Sequence, residues 1–140
     1  MTGHKMTRRK RTFAFLPFLL LAPALALFAT SNGAWLAKVP AHDRDKINPY
    51  QGQPDAVLAG QRVFHDHCAH CHGENAEGTK KRPTLRSERV QQQATDGDLH
   101  WLLVNGNMGY GMPSWSKLGD PQIWQVILYV KSLHVEQASK

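Results

Sequence analysis

No acidic residue precedes Asp43, no cysteine other than Cys68 and Cys71 occurs in the 140 residues, and no alternating run is long enough for a strand. Each absence excludes something. Two cysteines three positions apart, with no other partner, rule out the multi-bridge framework of small secreted domains. With no cysteine near the N-terminal apolar run, a lipoprotein anchor is excluded as well. Missing strand periodicity leaves a mainly helical protein. The length permits one domain and a targeting segment, but not two ordinary domains.

The missing acids concentrate positive charge at one end. Lys5, Arg8, Arg9, Lys10 and Arg11 supply five charges of the net +6, so about +1 remains for the rest. Nucleic-acid binding is therefore not expected. An apolar run from Phe13 to Ala29, broken only by Pro17 and Pro23, follows this basic stretch. A positive segment before an uncharged apolar one reads as a membrane-insertion signal with the charge retained inside. Residues 1–36 are expected to be a signal peptide or transmembrane anchor, exporting the remainder to the periplasmic side of a bacterial cytoplasmic membrane. Pro23-Ala24-Leu25-Ala26 offers a cleavage site. Leu27, Phe28, Trp35 and Leu36 instead prolong the apolar stretch toward the roughly 20 residues that span a bilayer, with Trp35 suited to the membrane interface. The retained anchor is the preferred reading. Residues 37–54, punctuated by Pro40, Pro49, Gly52 and Pro54, read as a linker.

Residues 55–140 read as the folded unit. Asp55–Asp66 predicts a helix, with Val57, Gly60, Val63 and Phe64 on one face. Asp98–Val104 predicts a second, ended by Asn105-Gly106. In the last, Asp120 is the expected N-cap and Pro121 the first helical residue. Ile123, Trp124, Ile127, Leu128, Val130 and Leu133 are too many for one stripe, so this helix should pack on two sides. Three short helices make a thin core, and a chain of this size usually needs a metal or cofactor to complete it.

Cys68-Ala69-His70-Cys71-His72 suggests which cofactor. Cys-x-x-Cys-His is the attachment motif of c-type haem. Two thiols one helical turn apart can add to the vinyl groups of adjacent pyrrole rings, and His72 then falls beneath the iron. A thioredoxin-like redox pair would need an α/β setting, which is absent. A zinc site would need a second ligand pair; His65, His67 and His70 crowd the motif, but as solvated side chains. A sixth iron ligand is expected from Met112, forty positions after His72 in Gly109-Tyr110-Gly111-Met112-Pro113. Its soft thioether would favour ferrous iron. Met108 is the alternative in the same loop; His100 and His134 are more distant ones.

On these residues the stretch Ala59–Leu133 resembles the class I c-type cytochromes of the small bacterial monohaem kind. The likeness rests on Ala59-Gly60, Val63-Phe64, Cys68…Cys71-His72-Gly73, Gly78, Pro83 and Leu85. It continues through Gly97-Asp98-Leu99, Trp101, Asn105-Gly106, Gly111-Met112-Pro113-Ser114-Trp115 and the run from Ile123 to Leu133. Asn48-Pro49-Tyr50 through Gly60 further resembles monohaem cytochromes found beside periplasmic dehydrogenases. The resemblance implies an all-α domain around one covalent haem c, held by Cys68 and Cys71 and ligated by His72 and Met112. It also implies that the terminal helices cross near Gly60 and Tyr129, and that the Pro83 carbonyl accepts the His72 Nδ1 proton. A polar segment carrying Lys80, Lys81, Arg82, Arg86 and Arg89 departs from it; the run reads as a solvated loop, with a docking patch for an acidic partner as the alternative.

The expected function is that of a single-electron carrier, not an enzyme, shuttling between a periplasmic or membrane donor dehydrogenase and an acceptor oxidase or reductase. The alternatives are a cytochrome subunit of a dehydrogenase or oxidase complex, and a haem gas sensor or enzyme with a labile sixth ligand.

Overall fold

Pro54 lacks an N–H to waste at a helix start, and Asp55 complements the dipole of the first turn, so the chain turns helical there. The computed structural model describes residues 1–2 and 33–133. Its α-helices are α1 (Ala41–Arg44), α2 (Pro54–His67), α3 (Ala69–His72), α4 (Asp96–Asn105) and α5 (Asp120–Ser132). Short 3₁₀ turns occupy Leu36–Lys38, Met108–Tyr110 and Ser116–Leu118, and a π-helical turn occupies Arg89–Gln93. The described residues contain no strand, only isolated bridges joining Thr79 to Arg82 and Asn107 to Met112. The expected all-α fold is what the described residues adopt.

α2 buries Ala56, Gly60, Val63 and Phe64, a face at three- and four-residue spacing. It crosses α5 where Gly60 meets the backbone of Gln125 and Val126; a Cβ at Gly60 would collide with the Gln125 carbonyl. Beside the crossing, the Phe64 and Tyr129 rings lie 5.3 Å apart. α5 packs on two sides, as its crowded apolar pattern requires. Val126, Tyr129 and Val130 join Val63 and Phe64. Ile123, Trp124 and Ile127 join Leu99, Ala94, Trp35 and Val39.

Two helix starts differ from expectation. α4 begins at Asp96, two residues early, because Thr95 caps it. The Thr95 hydroxyl accepts from Asp98 N at 3.1 Å, and the Asp98 carboxylate accepts from Thr95 N at 2.9 Å. Asp120 is not the N-cap of α5 but its first residue, preceded by Gly119 at φ +80°. Its carboxylate is engaged elsewhere, accepting from His100 Nε2 at 3.1 Å.

The stretch read as a linker is packed onto the helices. Arg44 Nε donates to Asp98 at 2.9 Å, Thr95 Oγ1 donates to the Arg44 carbonyl at 2.9 Å, and buried Asn48 donates from Nδ2 to the Trp124 carbonyl at 2.9 Å. Trp35, only 7% exposed, is core rather than a membrane-interface residue. Single contacts such as Asn48 on a main-chain carbonyl carry no hydrophobic periodicity, which is why a Pro-punctuated sequence conceals them. The proposed signal or anchor lies largely outside the described residues, as does His134. Among the described residues no helix is long and apolar enough to cross a membrane.

Candidate cofactor site

The Cys-x-x-Cys-His motif sits where α2 gives way to α3. Cys68 N donates to the Phe64 carbonyl at 2.7 Å and closes α2. The Cys68 carbonyl then accepts from Cys71 N at 3.1 Å and His72 N at 3.0 Å. Cys68, Cys71 and His72 are thus wound into a single turn. Gly73 follows at φ +83°, a left-handed backbone that glycine adopts without strain and that turns the chain away.

The two cysteines are not joined in a disulfide. Burial pushes the Cys68 thiol up to about 12, and the neighbouring Cys71 adds to the effect. A nucleophilic redox pair needs the opposite, a thiol pulled down toward neutrality. The setting keeps Cys68 protonated. Among the described residues no three His, Cys, Asp or Glu side chains are grouped to hold a metal ion.

His72 Nδ1 lies 3.2 Å from the Pro83 carbonyl. A carbonyl can only accept, so Nδ1 carries the proton and Nε2 keeps its lone pair. Burial holds the imidazole below its ordinary pKa; the Pro83 bond works against this, and the Arg82 charge adds to it. His72 is thereby presented neutral, in one tautomer, as a metal-ligating histidine must be.

Cys68, Cys71, His72 and Met112 line one cavity of about 860 Å³. Its other walls are largely apolar: Leu99, Leu102 and Leu103 from α4, and Val126, Ile127 and Val130 from α5. A space of this size and character suits a large planar cofactor. The residues present therefore fit a haem: two thiols, one oriented imidazole and one thioether around an apolar slot.

Met112 and Met108 are distinguished by the loop that holds them. Asn107 N donates to the Met112 carbonyl at 2.7 Å, and Met112 N returns a bond to Asn107 at 3.1 Å. Between them the Met108–Tyr110 turn bulges outward, leaving Met108 73% exposed while Met112 is half-buried on the cavity wall. Gly106 makes the approach possible at φ +72°, where a Cβ would stand 2.6 Å from Ser114 N. His100 is held away from the cavity, stacked on Trp124 at 4.2 Å and bonded to Asp120.

The crowding histidines divide. His65 Nδ1 lies 3.0 Å from the Glu74 carboxylate, and His70 is exposed. His67 reaches the cavity edge and packs on Trp115 at 5.6 Å, a contact that spacing does not announce. Three further residues shape the site without a signal in the sequence. Trp35 and Arg82 line the cavity. Lys131 donates from Nζ to the Val90, Gln91 and Ala94 carbonyls at 3.0, 3.0 and 2.7 Å, pinning the π-helical turn that forms one wall. Burial lowers the Lys131 pKa, opposed by the charges of Asp96 and Asp98. The basic run is thus not one solvated patch: Lys80 and Lys81 are exposed, whereas Arg82, Arg86 and Arg89 are half-buried.

Residues 55–130 match a protein family described as cytochrome c oxidase, cbb3-type, subunit III. The cbb3-type cytochrome c oxidase subunit CcoP of Rubrivivax gelatinosus is 29% identical over 114 residues, 81% of this chain and 33% of that protein. Subunit FixP of Bradyrhizobium sp. (strain ORS 278) is 30% identical over 135 residues, 94% of this chain and 43% of that one. Subunit CcoP of Rhodobacter capsulatus is 33% identical over 124 residues, 70% and 41% of the two chains. The chain thus spans about a third to two fifths of these relatives' lengths. Among solved structures, cytochrome cL from the marine methylotroph Methylophaga aminisulfidivorans MPT matches with a TM-score of 0.54 and 27% identity, covering 61% of this chain and 58% of that one.

Proposed function

This chain belongs to the family of cbb3-type cytochrome c oxidase subunit III, and we propose that it works as the electron-carrying domain of an oxidase-type complex through a single covalent haem c. Of the expected functions, the complex subunit gains more from the relatives than the free shuttle does, since those proteins are named as oxidase subunits. The observation that carries the proposal is the convergence of Cys68, Cys71, His72 and Met112 on one apolar cavity.

Cys68 and Cys71 would hold the porphyrin through two thioethers, and His72 Nε2 and the Met112 sulfur would hold its iron. When bound, haem supplies a reversible one-electron couple at its iron. The chain's own residues set how that couple behaves. Pro83 keeps the His72 proton on Nδ1, so the ligating nitrogen is always available. Met112 contributes a soft donor that raises the potential relative to a second imidazole. Leu99, Leu102, Val126 and Ile127 exclude water, which disfavours the more charged oxidation state. With His72 and Met112 both on the iron, the domain would transfer electrons without binding a substrate there. The basic N-terminal stretch and its apolar run support a location outside the cytoplasmic membrane, anchored or released after cleavage.

Expression with a haem-attachment system tests this directly. The expected result is one haem per chain that survives acid–acetone extraction, and co-purification of the native protein from membranes with an oxidase. Haem lost to acid acetone would remove the attachment reading. Purification as a free monomer with all haem retained would return the function to a diffusing shuttle.

A further inference from the structure

Arg82 stands where the loops on the two sides of the cavity meet. Its own loop is stiff: Thr79 N donates to the Arg82 carbonyl at 2.9 Å, Arg82 N returns a bond at 3.2 Å, and Leu85 N donates to Ala76 at 2.9 Å. The next residue, Pro83, carries the carbonyl that sets the His72 tautomer. The facing loop, residues 107–112, is closed on itself by the paired Asn107–Met112 bonds. Those bonds hold its shape but not its distance from His72.

Among the described residues, the hydrogen bonds that cross between the two loops both come from Arg82. Nη1 donates to the Tyr110 carbonyl at 2.6 Å and Nη2 to the Gly111 carbonyl at 3.4 Å. Gly111 leaves room for this. It lies at φ +70°, and a Cβ there would stand 2.8 Å from Arg82 Nη2. We propose that Arg82 is a positioning residue for both iron ligands, a fork that ties the loop presenting Met112 to the turn whose Pro83 carbonyl orients His72. The inference rests on the haem reading above. A guanidinium suits the task because its planar donors reach two carbonyls at once, whereas an ammonium is a single point charge. Removing these two charge-assisted bonds should loosen the methionine side and leave the cysteine side as it was.

The test uses haem-loaded Arg82→Met, Arg82→Lys and, as a surface control, Lys80→Met. The readouts are the ferric methionine–iron charge-transfer band, its displacement by added imidazole, the midpoint potential and thermal melting. Arg82→Met should let imidazole displace Met112 at a concentration lower by about tenfold or more, since even one of the two lost hydrogen bonds to a charged group is of that size. Arg82→Lys should fall between Arg82→Met and the unmodified protein, and Lys80→Met should match the latter. Lower melting with unchanged imidazole affinity would reduce Arg82 to a structural contact and overturn the proposal. A changed potential with unchanged affinity would overturn it too, placing the guanidinium on a haem propionate. If Arg82→Met fails to load haem, Arg82→Lys decides alone, and unchanged affinity there overturns the proposal. The haem reading fails separately. Met112→Ala that keeps the band intact removes the ligand assignment, whereas Met112→Ala that abolishes the band while Arg82→Met leaves affinity unchanged overturns only the role of Arg82.

Discussion

The two sides of the cavity are built by different means. The side carrying Cys68, Cys71 and His72 is a helix end, closed by main-chain bonds three and four residues long onto the Cys68 carbonyl. The side carrying Met112 is loop, closed on itself by the Asn107–Met112 bonds and tied across the cavity by Arg82 on the carbonyls of Tyr110 and Gly111, while Lys131 pins another wall from Val90 to Ala94. A helical turn forms from its own backbone and is backed here by the α2–α5 crossing. A loop brought into place by a few charge-assisted bonds opens at lower cost. The histidine side should therefore be fixed and the methionine side adjustable.

The largest effect should come from attacking the fixed side. Cys68→Ala with Cys71→Ala removes the covalent link and with it the filling of the cavity of about 860 Å³. Little folded, haem-bearing protein should be recovered. A soluble double variant with the helicity of the unmodified protein would show that the helices complete their core without haem, and the contrast between the sides would lose its basis.

On the adjustable side, Met112→Ala should spare covalent attachment yet change the iron. The midpoint potential should fall as water or another base replaces sulfur, and carbon monoxide should bind reduced protein that previously resisted it. Met108→Ala should do neither, because Met108 is exposed. Were the two variants to exchange phenotypes, the ligand would be Met108 and the loop would have to invert.

Lys131→Met gives a smaller, graded effect. It leaves three carbonyls without their donor, and hydrogen bonds to a charged group contribute roughly 1.5–3 kcal/mol each at most, with water replacing part of the loss here. Stability to urea should fall while the haem spectrum stays that of the unmodified protein. An unchanged urea midpoint would mean that water satisfies these carbonyls equally well.

The smallest effect is a pH dependence at the same residue. The folded-state pKa of Lys131 lies below the ordinary 10.5 because of burial. Between that lowered value and 10.5 the unfolded chain therefore binds more protons, so stability should rise with pH across this window. Lys131→Met should flatten the rise. A steeper rise in the variant would reverse the sign argued here.

How far the sequence could be read follows the same division. Pro54, Asp55 and the spacing of Val63 and Phe64 announce α2 because helix signals act over a single turn. The haem motif is legible for the same reason: Cys68, Cys71 and His72 need only one turn to converge. Met112 could be nominated from its Gly- and Pro-flanked loop, but Met108 stood four residues away with the same chemistry. Only the Asn107–Met112 pairing, which turns Met108 outward, separates them.

What escaped was long-range. Trp35 read as a membrane-interface residue and residues 37–54 as a linker, because composition there suggests exposure. Buried Asn48 on the Trp124 carbonyl and Arg44 on Asp98 instead fasten that stretch to the domain. The five basic residues between 80 and 89 looked like one patch, since charge along a chain does not disclose direction.

By itself the sequence determined the helical class and the placing of Cys68, Cys71 and His72 on one turn, all encoded in contacts a turn or less apart. Tertiary structure alone decided which methionine faces the cavity, where Trp35 goes, and that Arg82 and Lys131 hold the loops. Those choices depend on carbonyls and space supplied by segments tens of residues away, and a donor's partner is not written beside it in the chain.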